Sequence, residues 1–544
     1  MVEELPEGYY LENFHYLLEF VARQYKHLLK DNELAYQSRF RALTTEAQML
    51  YVRLVQRKGP LFRCDKINYS EITNLQQTMS ELVEHGFLDH AHDVDTIDVL
   101  GLLTKRELLD LPEAIDLDPA QKKIQLLEYL SQVEIDLSGT RRVRPLLKEY
   151  LQLYKLLFFG NLHQDFTEFV LNDLGVMPFE KYPLQTGGFF FENRGLIEET
   201  LQLYALDDLS HDTVEESDAG IMAEFVNSLP ERCVNERLAR RYDRIVNRVA
   251  RQYERIGDLD AAMSLYIKST LVPSRERRAR ILLKQERLSE CLALCSDILA
   301  APLNDQECEF AVRFVRRNRN KFPALAKLPA LDTRFLEYKP ALRNLLVINN
   351  PHKRIEEMTC DWFAAQGSDA IYVENSLFTG LFGLAFWDVI FAPVKGAFYH
   401  PFQRGPADLF SPEFTRLRSG LFESRFSELR NAKRLSCIIM EMFNKKYPIT
   451  NQFVNWSMLN AELIERFLGV ISNDSLMTVF RRLLADPRNN CSGFPDLIVF
   501  GNDGYKLVEV KGPGDRLQEN QLRWLRHFST VGIPAEVAYV SFTR

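Results

Sequence analysis

The sequence predicts a multidomain chain, mostly α, with repeated helical pairs in its middle and an α/β domain at its C-terminal end. The 544 residues run well past the size at which one hydrophobic core keeps growing. Apolar residues recur at helical spacing through most of the chain. Only near residue 495 does the pattern change, to two β-rich runs, a helix and a last β-rich run, the content of an α/β unit.

In residues 9–29 the side chains Phe14, Leu17, Leu18, Phe20, Val21, Tyr25 and Leu28 share one helical face. QMLYVRLVQR (48–57) is a second helix, stopped at Gly59-Pro60. LFRCDKINYSEI reads as a short extended piece and MSELVEHGFLDH as a helix with a Gly-led extended end. That order fits either a winged-helix-like DNA-binding unit or an ordinary helical domain over 1–92. DVLGLLTKRELLDL and KKIQLLEYL are two short helices around an acidic loop, the layout of a SAP-type DNA-binding module, assigned with its connecting region to 93–230. Residues 175–195, rich in Pro, Gly and aromatics, are expected as strands or loops.

YDRIVNRVARQYERIGDLDAAMSLYIKST reads as helix, tight turn at Gly257-Asp258, helix. Ala250, Tyr253, Gly257, Ala261 and Tyr266 fall where tetratricopeptide-type repeats put small and aromatic packing residues. A second pair follows in RARILLKQERLSECLALCSDIL, and CEFAVRFVRRNRNKF starts a third, so 231–340 is expected as such repeats. Pro-rich text at 323–340 marks its end. The remainder, 341–544, is expected as one domain with its motif core at 488–544. GLFGLAFWDVIFAPV (380–394) carries Asp388 and stops at Pro393, which suits a buried helix and not a membrane span of roughly 20 residues. FPDLIVF and YKLVEVKG are strands joined by a hairpin turn at Asn502, Asp503 and Gly504; ENQLRWLRHF is a helix and AEVAYVSF a strand.

The formal net charge of -8 argues against a polybasic DNA coat but not against a nucleic-acid enzyme with local basic faces. The eight cysteines form no CxxC pair. Cys291 and Cys295 share a helix face as buried thiols, and scattered thiols suit a reducing compartment. The N-terminal text has no signal-peptide pattern. A cytoplasmic protein without membrane contact is the expectation.

The chemistry concentrates in the last fifty residues. Glu509 and Lys511 are two apart in a strand and share one face, and the hairpin brings Asp496 beside them. Two carboxylates, one lysine and the Val510 carbonyl suit Mg²⁺ or Mn²⁺. An ion held there polarises a phosphodiester and helps deprotonate a water, and Lys511 orients that water or faces the charge growing on the phosphate. Gly512-Pro513-Gly514 ends the strand at once and leaves room for a large substrate.

Pro495-Asp496, followed after an interval by Glu509-Val510-Lys511, is the PD-(D/E)xK pattern of a nuclease superfamily. CSGFPDLIVF with KLVEVKGPGDRLQENQLRWL resembles the VRR-type nuclease domain, and more narrowly that of the Fanconi-anaemia-associated structure-specific nucleases. YYLENFHYLLEFV, LYVRLVQRKGPLF, ELVEHGFLD, the repeats and the text from Glu374 resemble the same family, so the likeness covers most of the chain. It implies Asp496, Glu509 and Lys511 as the catalytic core, Glu374 as a carboxylate completing a site for two Mg²⁺ or Mn²⁺ ions, and Gln521 as a neighbour packed near the active-site strand. It implies cleavage of 5′-flap and branched DNA, 5′-to-3′ incision, and a role in interstrand cross-link repair. A pocket for the 5′ phosphate is implied at Arg488, at Arg275 or Arg277 in SRERRAR, and at Arg516 of the EVKGP-D-RL stretch. Asn520 departs from the family, whose vertebrate members have a basic residue before that glutamine, and this puts the pocket in doubt. No ubiquitin-binding zinc finger is expected, and a bacterial member of the family is.

Two basic runs stand apart from the resemblance. Residues 231–251 hold seven Arg against three acids, and 275–287 hold five Arg and one Lys against two Glu. They read as a stripe for phosphates or as ion-paired helix faces. Against the flap nuclease stand a Holliday-junction-resolvase-like or restriction-type enzyme, and a non-catalytic helical scaffold.

Overall fold

The structure, a computed structural model, describes residues 6, 8–184, 190–320, 334–502 and 504–543. The chain divides into two compact units, Met1–Met177 with Phe189–Arg194, and Pro178–Gly188 with Gly195–Arg544.

The first unit starts with helices Tyr9–Tyr25, Asp31–Arg41 and Thr45–Val55, the second of which the sequence patterning did not suggest. Strand β1 (Phe62–Arg63), helix Leu75–Glu84 and strand β2 (Leu88–Asp89) follow in the expected order. The two strands do not pair with each other. Strand β3 (Arg142–Pro145) inserts between them, antiparallel to both, with Phe62 opposite Val143 and Leu88 opposite Pro145. A segment some fifty residues downstream therefore closes the small sheet, which a two-residue strand cannot do alone. Between β2 and β3 lie three short helices where two were expected, Thr96–Gly101, Lys105–Leu109 and Lys123–Leu130, around a core of Leu100, Leu108, Leu126 and Leu130. Helix Lys148–Phe159 returns to the first helix, with Phe158 edge-on to Phe20 at 4.9 Å. The described part of 175–195 outside helices is loop, and residues 185–189 lie outside the described residues.

The second unit holds the helical pairs and the mixed sheet. Helix Glu236–Ile256 ends where Gly257 takes a φ of 93°, and Asp258 caps helix Leu259–Lys268 by accepting from the Ala261 N–H. Helices Ser274–Lys284, Leu288–Ala300 and Asp305–Asn318 follow. Ala250, Tyr253, Tyr266, Cys291 and Cys295 lie in their shared core, as the repeat spacing and the thiol pair suggested. The expected Pro-rich boundary falls largely on 321–333, outside the described residues.

The sheet runs β4 (Ala341–Val347), β8 (Ala535–Phe542), β7 (Gly504–Lys511), β6 (Leu497–Gly501), β5 (Asp369–Tyr372). β4, β8 and β7 are parallel, while β6 is antiparallel to both β7 and β5. The sequence patterning found the three inner strands and missed both edges. Asp503 of the expected β6–β7 turn lies outside the described residues. One face of the sheet packs on helix Ile355–Ala365 through Leu345, Val499, Val508 and Val540. The other packs on a larger helical core around Ser376–Ala385. That apolar helix is buried, as expected, and a Cβ on Gly383 would lie 2.7 Å from Val454 and 2.9 Å from Phe453. Among the described residues no helix is long and apolar enough to cross a membrane.

Phe378 sits in this core with Phe494 stacked at 5.1 Å and Phe528 at 5.5 Å. Because Phe494 leads directly into Pro495-Asp496, core and site share one packing element. Phe378→Ala is expected to lower unfolding stability by about 3–5 kcal/mol in a denaturant titration. It should also reduce nuclease activity under conditions where the variant remains folded; unchanged activity would uncouple this stack from the site.

Candidate active site

β6 and β7 pair with Leu497 opposite Val508, so Asp496 stands across from Glu509 at the mouth of the hairpin. The Asp496 carboxylate accepts a 2.8 Å hydrogen bond from the Val510 N–H. Its carbonyl accepts from the N–H groups of Val373 and Glu374 at 2.8 and 2.9 Å. Glu509 is 1% exposed and Lys511 8%. Their side chains meet at 2.9 Å, and the Gln521 amide donates to the same Glu509 oxygen at 2.7 Å. Gln521 lies in the first turn of helix Glu519–Thr530, where its carbonyl accepts from the Gln518 N–H at 2.8 Å. With the carbonyl held by the cap, the NH₂ end is the one left to face Glu509.

The same helix steadies Asp496 from the other side. Trp524 stacks on Phe494 at 4.0 Å. Asn375 accepts from the N–H groups of Gly493 and Phe494, at 2.9 and 3.2 Å. Gly493 has a φ of 92°, and a Cβ there would meet the Asn520 backbone at 2.8 Å. The buried Glu309 of the last repeat helix draws three guanidiniums together, Arg526 at 2.8 Å, Arg523 at 3.4 Å and Arg313 at 3.6 Å; Arg313 also reaches Glu519 at 2.6 Å. The repeats thus grip the helix that carries Gln521.

Burial dominates the electrostatics. It pushes the Glu509 carboxyl up to about 8, with the charge of Asp496 adding to the rise and Lys511 opposing it. Burial also lifts Asp496 to about 6; the Val510 N–H opposes this, while Glu356 and Glu374 add to it. Glu374, at a φ of 32°, has its carboxylate bonded to the Tyr372 hydroxyl at 2.5 Å and the Asn375 amide at 3.1 Å. It is a neighbour of Asp496 through the backbone and through charge.

Glu509 Oε2 is buried and has no hydrogen-bond partner among the described residues. A buried anionic oxygen without a donor costs free energy, and a divalent ion beside it would remove that cost. Among the described residues no three His, Cys, Asp or Glu side chains form a complete cage. A seat of two carboxylates fits Mg²⁺ all the same, since that ion keeps waters and takes remaining ligands from substrate phosphates.

The structure brings Asp496, Glu509, Val510, Lys511 and Gln521 together. The other basic residues named from the sequence lie apart from this cluster, several of them ion-paired. Arg275 holds the buried Glu307 through Nη2 and Nε, at 2.5 and 2.9 Å, and Arg277 pairs with Glu254 at 3.4 Å. Arg516 is exposed on the loop after β7. Arg488 is exposed and donates to the Phe410 carbonyl at 3.4 Å. In the 231–251 run Arg232, Arg240, Arg241, Arg248 and Arg251 have acidic partners. Arg244 is different. Burial lowers its pKa, and the like charges of Arg241 and Arg488 lower it further. Sequence spacing gave no sign that it neighbours Arg488, nor that Glu356 and Asn375 serve the site.

The description "FAN1, HTH domain" matches residues 8–89, and "VRR-NUC domain" matches residues 430–542. A Fanconi-associated nuclease 1 homolog of Pseudomonas aeruginosa is 33% identical over 98% of this chain and 96% of its own length. This chain belongs to the Fanconi-associated nuclease 1 family. The Arabidopsis thaliana homolog of that family is 25% identical, over 98% of this chain and 67% of its own. A solved structure described as paFAN1 bound to 2nt 5′flap DNA with gap has a TM-score of 0.89 at 32% identity and covers 100% of both chains. Another, with a 1nt 5′flap, has a TM-score of 0.87. Family membership makes the chain a nuclease, and nucleases of the family depend on divalent metal.

The raised carboxyl values fix the sign of a pH effect. In the metal-free protein Glu509 holds its proton up to about pH 8, whereas the unfolded chain releases it near 4.5. The associated stability is complete below about 4.5 and is lost as pH rises through 8. Glu509→Gln in a chelator should flatten the fall in melting temperature over that window, and Mg²⁺ should stabilise the parent more at pH 8 than at pH 6. Parallel profiles for parent and variant would contradict the assignment.

Proposed function

We propose that this chain cleaves branched DNA carrying a 5′ flap by metal-assisted hydrolysis of a phosphodiester beside Asp496, Glu509 and Lys511. The observation that carries this is the buried Glu509 carboxylate, shared between Lys511 and Gln521, with one oxygen left over. Asp496, Glu509 and the Val510 carbonyl would hold Mg²⁺ or Mn²⁺, two ions in all, with Glu374 as the further carboxylate of the set. When bound, the ions supply a Lewis acid and an activated water. Lys511 faces the charge that grows on the phosphate. Gln521 keeps Glu509 aligned while its proton is lost.

The flap as substrate is supported by the likeness to a structure whose description names a 5′flap. Arg488, with Arg244 beside it, binds the 5′ phosphate; Arg275, Arg277 and Arg516 contribute basic charge to the DNA path. Stepwise 5′-to-3′ incision and a place in interstrand cross-link repair, in a bacterial cytosol, are part of the same proposal, which kinship supports. The four-part organisation 1–92, 93–230, 231–340 and 341–544 is proposed on the same ground.

End-labelled 5′-flap DNA and a four-way junction, each with Mg²⁺, Mn²⁺ or chelator, test this. The flap should be cut in preference, and chelator should stop the reaction. Glu509→Ala and Lys511→Ala should each lose about a hundredfold or more in rate while keeping the parent's circular dichroism. A Glu509→Ala protein that cuts as fast as the parent would refute the site. Removing the 5′ phosphate should slow cutting by the parent, and Arg488→Ala should shrink that difference; equal rates on both DNAs would remove the pocket.

A further inference from the structure

β7 ends at Lys511, level with Tyr539 of β8 and Asn344 of β4. The two outer strands do not end there. β8 and β4 stay paired for three more residues, to Phe542 opposite Val347, and the Thr543 N–H still donates to the Val347 carbonyl at 2.9 Å. They form a two-stranded shelf that overhangs the end of the catalytic strand.

Residues in register across a sheet point to the same side, and alternate residues to opposite sides. Glu509, Lys511, Val537, Tyr539, Ser541, Asn344 and Leu346 therefore share one face, and Ile348 continues their parity. The opposite parity is covered, with Leu345 2% and Val347 3% exposed. On the catalytic side Leu346 is 62% exposed and Ile348 79%, while Tyr539 is half-buried. Single exposed apolar residues are ordinary. Adjacent ones that continue the face carrying Glu509 and Lys511 call for an occupant.

We propose that Tyr539, Leu346 and Ile348 seat an unpaired nucleobase of the strand being cut. This rests on the nuclease reading above. A phosphodiester at Lys511 has Tyr539 about one strand spacing away, some 5 Å, and Leu346, two strands over and two residues further on, at roughly 12 Å. A strand that leaves Lys511 past the end of β7 thus crosses the shelf within the nucleotides flanking the cut. Unpaired bases offer flat π-faces that stack on tyrosine and spread over aliphatic side chains, whereas paired bases in a duplex keep those faces covered. Ser541 and Asn344 stand among the apolar groups with donors and acceptors for a base edge. A second copy of the chain could also cover apolar residues, but continuity with Lys511 favours the DNA.

The test uses the full chain in Ca²⁺, which should hold the complex uncut, with 2-aminopurine at each nucleotide flanking the cut of a 5′-flap DNA. Leu346→Ser/Ile348→Ser and Tyr539→Leu are compared with the parent after their melting temperatures are matched. Each should weaken flap binding about tenfold, leave affinity for a flapless nicked duplex within about twofold, and change the 2-aminopurine signal at one position. In Mg²⁺ the loss should fall on KM and not on kcat. Variants equal to the parent on the flap would overturn the seat, as would a double variant that dissociates a dimer yet binds flap DNA normally. A parent that cuts no DNA at all would instead overturn the nuclease reading.

Discussion

Two acidic side chains at the mouth of one hairpin cannot both be buried and charged without a compensating positive group, and the local structure follows from that constraint. Lys511 supplies one cation, on the same strand and face as Glu509. Gln521 and the Val510 N–H supply neutral donors to the two carboxylates. These partners are not enough, because burial still dominates and both acids remain raised. A divalent ion is the further positive charge that would let both carboxylates ionise there, and its binding would release their protons.

Precision at the site comes from a single short helix. Glu519–Thr530 orients Glu509 through Gln521 and braces Asp496 through the Trp524–Phe494 stack. The last repeat helix grips it through Glu309. Sequence-distant parts of the second unit thus converge on one lever, and the apolar core around Phe378 fixes its angle.

The hairpin that carries Asp496, Glu509 and Lys511 was legible because its signal is local: alternating Val and charge, turn residues, and a Gly-Pro-Gly stop. The helical pairs were legible for the same reason, through Gly257 and the small and aromatic packing residues. The missed strands are those whose identity depends on partners far away. β3 is four residues long and is a strand because β1 and β2, far upstream, flank it on both sides. β4 and β5 are edges with one neighbour each, and β4 shows apolar residues on both faces, which blurs its period. The arginine runs were ambiguous in sequence because a guanidinium looks the same whether it meets an acid or a phosphate. The fold pairs Arg275 with Glu307 and sets Arg244 near the like charges of Arg241 and Arg488, with Asp207 opposing them.

Glu309 has a consequence for how such a chain can change over time. One carboxylate serves three guanidiniums drawn from two helices, so none of the four positions is independent of the others. Loss of the acid would leave several cations crowded together, with Arg523 buried, and replacing one arginine would weaken the hold on Gln521's helix without removing it. Drift here is therefore stepwise only from the arginine side; the acid can be exchanged only if its partners are exchanged with it.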